Sequence, residues 1–189
     1  MVSIELRRPG REELPSYVDA LRRGWSPNTL DAEAGLRQLV EIERDADSFL
    51  ASLAMAHGSI GTPVTLPDGS VAPRIPGYDR WIWDGEFSGR IGFRWQLGTE
   101  ELPPHVLGHV GYAVVPWRRG RGYASQALHL LLDDIAETGL RWIEVTTDPD
   151  NVASQRVIEK AGGEFVERFR YPAAYGGGDG LRYRITTGR

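Results

Sequence analysis

The chain contains no cysteine. That excludes a disulfide framework, a thiolate metal site and a cysteine nucleophile together. Lysine is nearly missing too: arginine outnumbers it 21 to 1, and Lys160 stands alone, which reads as compositional bias. There is no excess of positive charge. The formal net charge is −4, whereas a nucleic-acid binder usually shows a basic face. The four histidines are scattered without H-E-x-x-H or similar spacing, which argues against a metal enzyme. No apolar run reaches the roughly 18 residues of a membrane span, and Met1 to Gly10 is too polar for a signal peptide. A cytoplasmic protein with no nucleic-acid or membrane partner and no metal is therefore expected.

What is present is ordinary for a globular chain: 41% hydrophobic and 25% charged residues in a length of 189, enough to bury a sizeable core. One domain over residues 1–189 is expected. Ile4 to Leu6 reads as a short strand, and Arg11–Arg23 and Leu30–Ala56 read as helical from apolar spacing. Gly58–Gly77 is loop, with a hairpin turn at Pro67-Asp68-Gly69. Arg80–Trp83 and Arg90–Trp95 flank a turn as two antiparallel strands. Val106–Val115 is a third β segment, in which Gly108 and Gly111 mark a bulge or a close backbone approach. Ala124–Thr138 is a helix with one apolar stripe ending at Gly139. A strand at Trp142–Thr146 and a helix at Val152–Ala161 follow, the helix capped by Asp150 or Asn151. Glu164–Tyr171 and Leu181–Thr186 close the chain as strands.

The segment Arg119-Gly120-Arg121-Gly122-Tyr123-Ala124 opens the longer of these helices. A diphosphate needs several converging N–H donors, and a helix start offers them with a favourable dipole. Glycine before the helix lets the backbone approach without a β-carbon in the way. Arg118, Arg119 and Arg121 add charge at the rim. No G-x-x-x-x-G-K-[ST] occurs, and the third glycine of a dinucleotide fingerprint is missing. Taken alone, the turn is also compatible with a plain strand-to-helix connection.

Its surroundings add specificity. Arg119, Gly122 and Ala124 satisfy R/Q-x-x-G-x-G/A. The apolar strand end Ala113-Val114-Val115 precedes them. Asn151-Val152-Ala153-Ser154 gives N-x-x-S/A at the second helix, and Glu159–Phe165 approximates E-K-x-G-F with one departure at Gly163. In this order the motifs resemble the GNAT superfamily of N-acetyltransferases, in particular the branch that acetylates ribosomal proteins and N-terminal amines. The resemblance is close over about sixty residues. It implies an α/β fold with a mixed, splayed sheet of about seven strands and helices on both faces. It divides the chain into 1–57 with the acceptor-side helices, a core at 78–171 with the acyl-CoA site at 106–162, and a closing loop and strand at 172–189.

The resemblance further implies acetyl-CoA as cosubstrate, with an amine of a small molecule or a peptide N-terminus as acceptor, in a monomer or homodimer. By the same resemblance, the amides of Arg119, Gly120, Arg121, Gly122, Tyr123 and Ala124 would hold the pyrophosphate. Val114, Val115 and Asn151 would meet the pantetheine arm, and Ser154 would lie near the thioester sulfur. Many members place an acid tyrosine where this chain has Ile158. Ser154, Tyr123, Tyr171, Tyr175 or water would then protonate the thiolate. His109 is the expected base, since histidine titrates near working pH; the alternative is a half-buried strand histidine with one satisfied nitrogen. Asp84, Glu86 and Glu144 are weaker base candidates, and Tyr78, Trp81, Trp83 and Trp95 line either an acceptor pocket or the core. The vacant tyrosine position favours a second class of function, an acyl-CoA sensor or scaffold without catalysis.

Overall fold

The computed structural model describes residues 3–28, 31–53 and 63–187. In chain order it has β1 (Glu5–Arg7), α1 (Leu14–Arg22), α2 (Ala34–Arg44), α3 (Ala46–Leu53), β2 (Val64–Thr65), β3 (Val71–Ala72), β4 (Gly77–Trp83), β5 (Phe87–Arg94) and β6 (Val110–Val114). Then come α4 (Tyr123–Ala136), β7 (Trp142–Thr147), α5 (Val152–Lys160), β8 (Glu164–Arg170) and β9 (Asp179–Thr186). Seven strands build two antiparallel half-sheets, ordered β1-β4-β5-β6 and β7-β9-β8; β2 and β3 form a separate hairpin. β6 and β7 share no ladder. Their halves meet through hydrogen bonds between His109 and Glu144, which is the splay the motifs imply.

Side chains alternate across a strand, and β4 shows the consequence. Tyr78 and Ile82 enter one core layer, while Trp81 enters the other. α4 and α5 cover the first layer with Ala127, Leu128, Leu131, Ile135 and Ile158. α1 and α3 cover the second with Leu14, Tyr17, Leu21, Phe49 and Leu50. There Tyr17 stacks on Trp81 at 4.6 Å between centroids, an arrangement worth about 1 kcal/mol beyond area burial.

Three local expectations change. The helical run predicted from Leu30 to Ala56 is two helices within the described residues, and Leu30 and Ala54–Ala56 fall outside them. The break is Asp45, which is extended (φ −160°) and whose Oδ1 accepts from the Ser48 N–H (2.9 Å). A short polar side chain that captures backbone amides competes with helix continuation. The strand expected from Val106 begins only at Val110, because the backbone of His109 bonds across to Glu144. β4 begins at Gly77, three residues before the expected Arg80.

Candidate active site

β6 ends at Val114, Val115 is fully buried, and a 3-10 turn at Pro116–Arg118 leads to the glycine segment. Gly120 and Gly122 have φ of +75° and +81°, the left-handed region that glycine enters without cost. Gly122 is the N-cap of α4 and no side chain caps the helix. The first helical hydrogen bond runs from the Gln126 N–H to the Gly122 oxygen (3.0 Å). The amides before it have no intrahelical partner, as at any uncapped helix start. Arg119 Nε donates to the Val114 carbonyl (3.2 Å), which holds its guanidinium against the end of β6.

The turn is latched to the β4–β5 hairpin. The Asp84 carboxylate accepts from the Tyr123 hydroxyl (2.5 Å) and the Ser88 hydroxyl (2.9 Å), and Arg118 lies 3.3 Å from it. Burial alone would raise the Asp84 pKa; the two hydroxyl donors and Arg118 outweigh it and hold the carboxyl below its usual range. Arg118 also pairs with Glu86 (3.1 Å). Asp84, Glu86 and the Tyr123 phenol are thus engaged in anchoring the turn.

α5 starts as expected at Asn151, whose Oδ1 accepts from the Ser154 N–H (3.1 Å). Ser154 Oγ lies 2.8 Å from the Tyr112 hydroxyl of β6. Burial pushes the Tyr112 phenol up to about 12, with the Ser154 hydrogen bond opposing part of the rise. Tyr112 is a functional candidate that strand periodicity concealed, since it sits between Val110 and Val114 in an apolar segment. Ile158 is fully buried in the core layer under α4.

His109 stands at the junction of the half-sheets and is fully buried. Its N–H donates to the Glu144 carbonyl (2.7 Å), and its Nδ1 accepts from the Glu144 N–H (2.9 Å). An accepting Nδ1 requires the neutral Nε2–H tautomer. Nε2 has no hydrogen-bond partner among the described residues; the nearby Glu100 carbonyl favours the charged ring without reaching it in hydrogen-bond geometry. Burial dominates and brings the His109 pKa down to about 4. Gly108 makes this approach feasible, since a β-carbon there would lie 3.1 Å from the Glu144 oxygen and 3.3 Å from the Thr146 nitrogen.

This burial has a measurable result. Between pH 6.5 and about 4 the unfolded chain protonates its histidine while folded His109 stays neutral. Stability is therefore full above pH 6.5 and falls on acidification by about 3 kcal/mol from this group. His109→Asn, which places an amide oxygen near the Nδ1 position, should lose that part of the slope in urea titrations from pH 4 to 7. An unchanged slope would contradict the assignment.

The remaining candidates divide. Trp81, Trp95 and Tyr78 are core, with Trp95 stacked on Phe93 at 5.0 Å. Trp83 instead lines a cavity of about 440 Å³ with Trp117, Phe87 and α1 residues. The Tyr175 hydroxyl donates to the His105 carbonyl (2.7 Å), and burial pushes the Tyr171 phenol to about 12. Glu144 pairs with Arg182 (2.5 Å) and Arg184 (2.9 Å). Burial would raise its pKa, but both hydrogen bonds and charges hold it below the usual range.

The family model described as an acetyltransferase (GNAT) domain matches residues 68–164, just over half of the chain. The chain belongs to the GNAT acetyltransferase family. Comparison with curated proteins finds no match. Among solved structures, the GNAT acetyltransferase of Bacillus anthracis aligns with a TM-score of 0.60 at 17% identity, over 97% of this chain and 95% of that one. RimL, the ribosomal L7/L12 α-N-protein acetyltransferase, in complex with coenzyme A, aligns at 0.58 and 16% over 98% and 96%. The microcin C7 self-immunity acetyltransferase MccE, in complex with acetyl-CoA and AMP, aligns at 0.60 and 11% over 97% and 92%. At these identities the likeness is one of fold, and it spans this GNAT chain nearly end to end.

Proposed function

We propose that this GNAT protein moves an acetyl group from acetyl-CoA to a primary amine in a ternary complex in the cytoplasm. The carrying observation is the uncapped, glycine-built start of α4 beside Arg119, opening onto the edge of β6 that has no ladder partner among the described residues. The amides from Gly120 to Ala124 would hold the pyrophosphate, as anions bind at helix starts, with the guanidinium of Arg119 beside them, since the Arg119 N–H is donated to the Pro116 carbonyl (3.3 Å). The edge of β6 at Val114 would meet the pantetheine arm, whose thioester end would reach the gap beside Ser154; the Val115 N–H is already donated to the Ser88 carbonyl (3.1 Å). Asn151 contributes by fixing the start of α5.

Acetyl-CoA supplies the acetyl group as a thioester. The neutral amine nitrogen bonds to the acetyl carbon, the carbon–sulfur bond breaks, and the nitrogen releases its extra proton to solvent. The departing thiolate takes a proton from the Tyr112 hydroxyl, which remains protonated at neutral pH. Ser154, 2.8 Å away, returns a proton to Tyr112 from solvent. Tyr112 thus takes the role left open at Ile158, and Ser154 relays rather than donates directly. We assign no base among the described residues. His109 joins the half-sheets through its only accepting nitrogen, and Glu144 and Asp84 are held as ion-paired anions.

The test is a thermal shift with acetyl-CoA, CoA, ATP and NAD side by side, because a ligand of the folded state alone raises the melting temperature. A rise with acetyl-CoA and CoA only, followed by acetylation of an amine, supports the proposal. Stabilisation by acetyl-CoA without turnover of any amine would indicate a sensor, and no stabilisation would refute the acyl-CoA site.

A further inference from the structure

Two arginines share an uncommon arrangement. Each donates its Nε to a backbone carbonyl, and neither has a carboxylate partner among the described residues. One is Arg119 at the diphosphate turn. The other is Arg94, at the end of β5, whose Nε donates to the Gly108 carbonyl (2.8 Å). By contrast Arg90, Arg118, Arg141, Arg168, Arg182 and Arg184 all pair with acids.

Arg94 lies where the two half-sheets separate. Ile91, Phe93 and Trp95 point into the layer under α4, so alternation directs Arg90 and Arg94 to the opposite face. The paired strand positions beside them, Gly92 and Gly111, carry no side chain. A β-carbon at Gly111 would stand 3.1 Å from Arg94 Nη2, and one at Gly92 would stand 2.9 Å from Arg90 Nη2. Both strand glycines therefore make room for guanidinium groups. Asp79 neutralises Arg90, with Nε 3.2 Å from its Oδ1, and the Pro27 carbonyl takes a further N–H (3.0 Å). No carboxylate among the described residues meets Arg94. Protein atoms crowd its guanidinium, yet the residue stays reachable by solvent. Burial, then repulsion from Arg90, pushes its pKa below the usual arginine value, and Asp79 and Tyr175 offset this only in part. Its solvent-reachable nitrogens have no acid to pair with among the described residues, and an oxyanion would supply that partner.

We propose that Arg94 anchors an oxyanion on the acceptor, so that the substrate class is a small amine carrying a carboxylate or phosphate a few atoms from its nitrogen. This rests on the acetyltransferase reading, because the amine is placed at the gap by the thioester expected there. The fixed Nε–Gly108 bond orients the two remaining nitrogens as a fork, the geometry suited to bidentate oxyanion pairing. Tyr175, tied to the His105 carbonyl, stands near the same guanidinium.

The experiment pairs oxyanion amines with neutral isosteres: glycine against glycinamide, and phosphoethanolamine against ethanolamine. For wild type, Arg94→Gln and Arg94→Lys, kcat and KM are measured with acetyl-CoA, and binding to the CoA-loaded protein is measured by calorimetry. At least one oxyanion amine should exceed its neutral partner by about 10- to 100-fold in kcat/KM and in affinity, as expected for a charge-assisted pair. The glycine and phosphoethanolamine arms separate a carboxylate from a phosphate. Arg94→Gln should abolish the preference chiefly through KM while acetyl-CoA affinity is unchanged, and Arg94→Lys should restore part of it. Equal use of both partners by wild type, a preference that survives in Arg94→Gln, or an equal fall in kcat on both partners would overturn the proposal. Failure of acetyl-CoA to bind wild type would instead strike the acetyltransferase reading, and calorimetry reports the two separately.

Discussion

Gly122→Glu is expected to weaken acetyl-CoA binding by at least about 100-fold, equivalent to roughly 2.7 kcal/mol. Two effects combine. Gly122 has φ +81°, and a side chain in that region costs about 1–2 kcal/mol. Space is not the obstacle, because the nearest atom to an added β-carbon is Gln126 Nε2 at 3.9 Å. The larger effect is the carboxylate, which would occupy the uncapped amides of α4 in place of a phosphate and repel the second one. Gly122→Ala carries the strain without the charge. It should cost similar thermal stability but only about tenfold in affinity if most of the loss is electrostatic. Calorimetric titration of both variants checks this. Gly122→Glu binding as tightly as wild type would remove the diphosphate from this turn.

Tyr112→Phe is the second large expectation. A positioned acid contributes about 10² to 10⁴ in rate, and thiolate is a moderate leaving group, so kcat should fall by about 10- to 100-fold. Acetyl-CoA affinity should stay within about threefold, because the ring still fills its half-buried position on β6. The high-pH limb of the rate profile is the sharper readout. Wild type should keep its rate until the phenol, displaced to about 12, begins to ionise, while the variant should depend on buffer acids. Ser154→Ala should show a smaller loss with the same sign, since the phenol remains. A Tyr112→Phe variant with wild-type kcat would return the proton-donating role to water.

The residues that sequence reasoning placed well are those whose roles are local. Gly120 and Gly122 must take positive φ to bring the chain round into α4, and Asn151 caps α5 by reaching only three residues ahead. Both follow from neighbouring sequence. The paired motifs around them placed the chain in the GNAT family, which the family model bears out, along with a splayed seven-stranded sheet covered on both faces.

The positions that stayed illegible depend on partners far along the chain. His109 looked like a base because its residue type and strand position suit one. Its chemistry is set by Glu144, 35 residues later, which occupies Nδ1. Tyr112 and Ser154 meet across 42 residues, and strand alternation marks Tyr112 only as one more large residue. Arg94 becomes distinctive only once the carboxylates near the other arginines are located in space. The break at Asp45 is a milder case. The apolar spacing continues through it, and only the competing hydrogen bond of its side chain shows why the helix stops.

The most direct measurement is a stoichiometric transfer assay with acetyl-CoA labelled in the acetyl group, using the amine panel above and mass analysis of product and protein. One labelled acetyl on the amine nitrogen, one free CoA thiol released per turnover and no label retained on the protein are the expected result. Label fixed covalently to the protein, or CoA released with acetate as the only product, would contradict direct transfer to an amine.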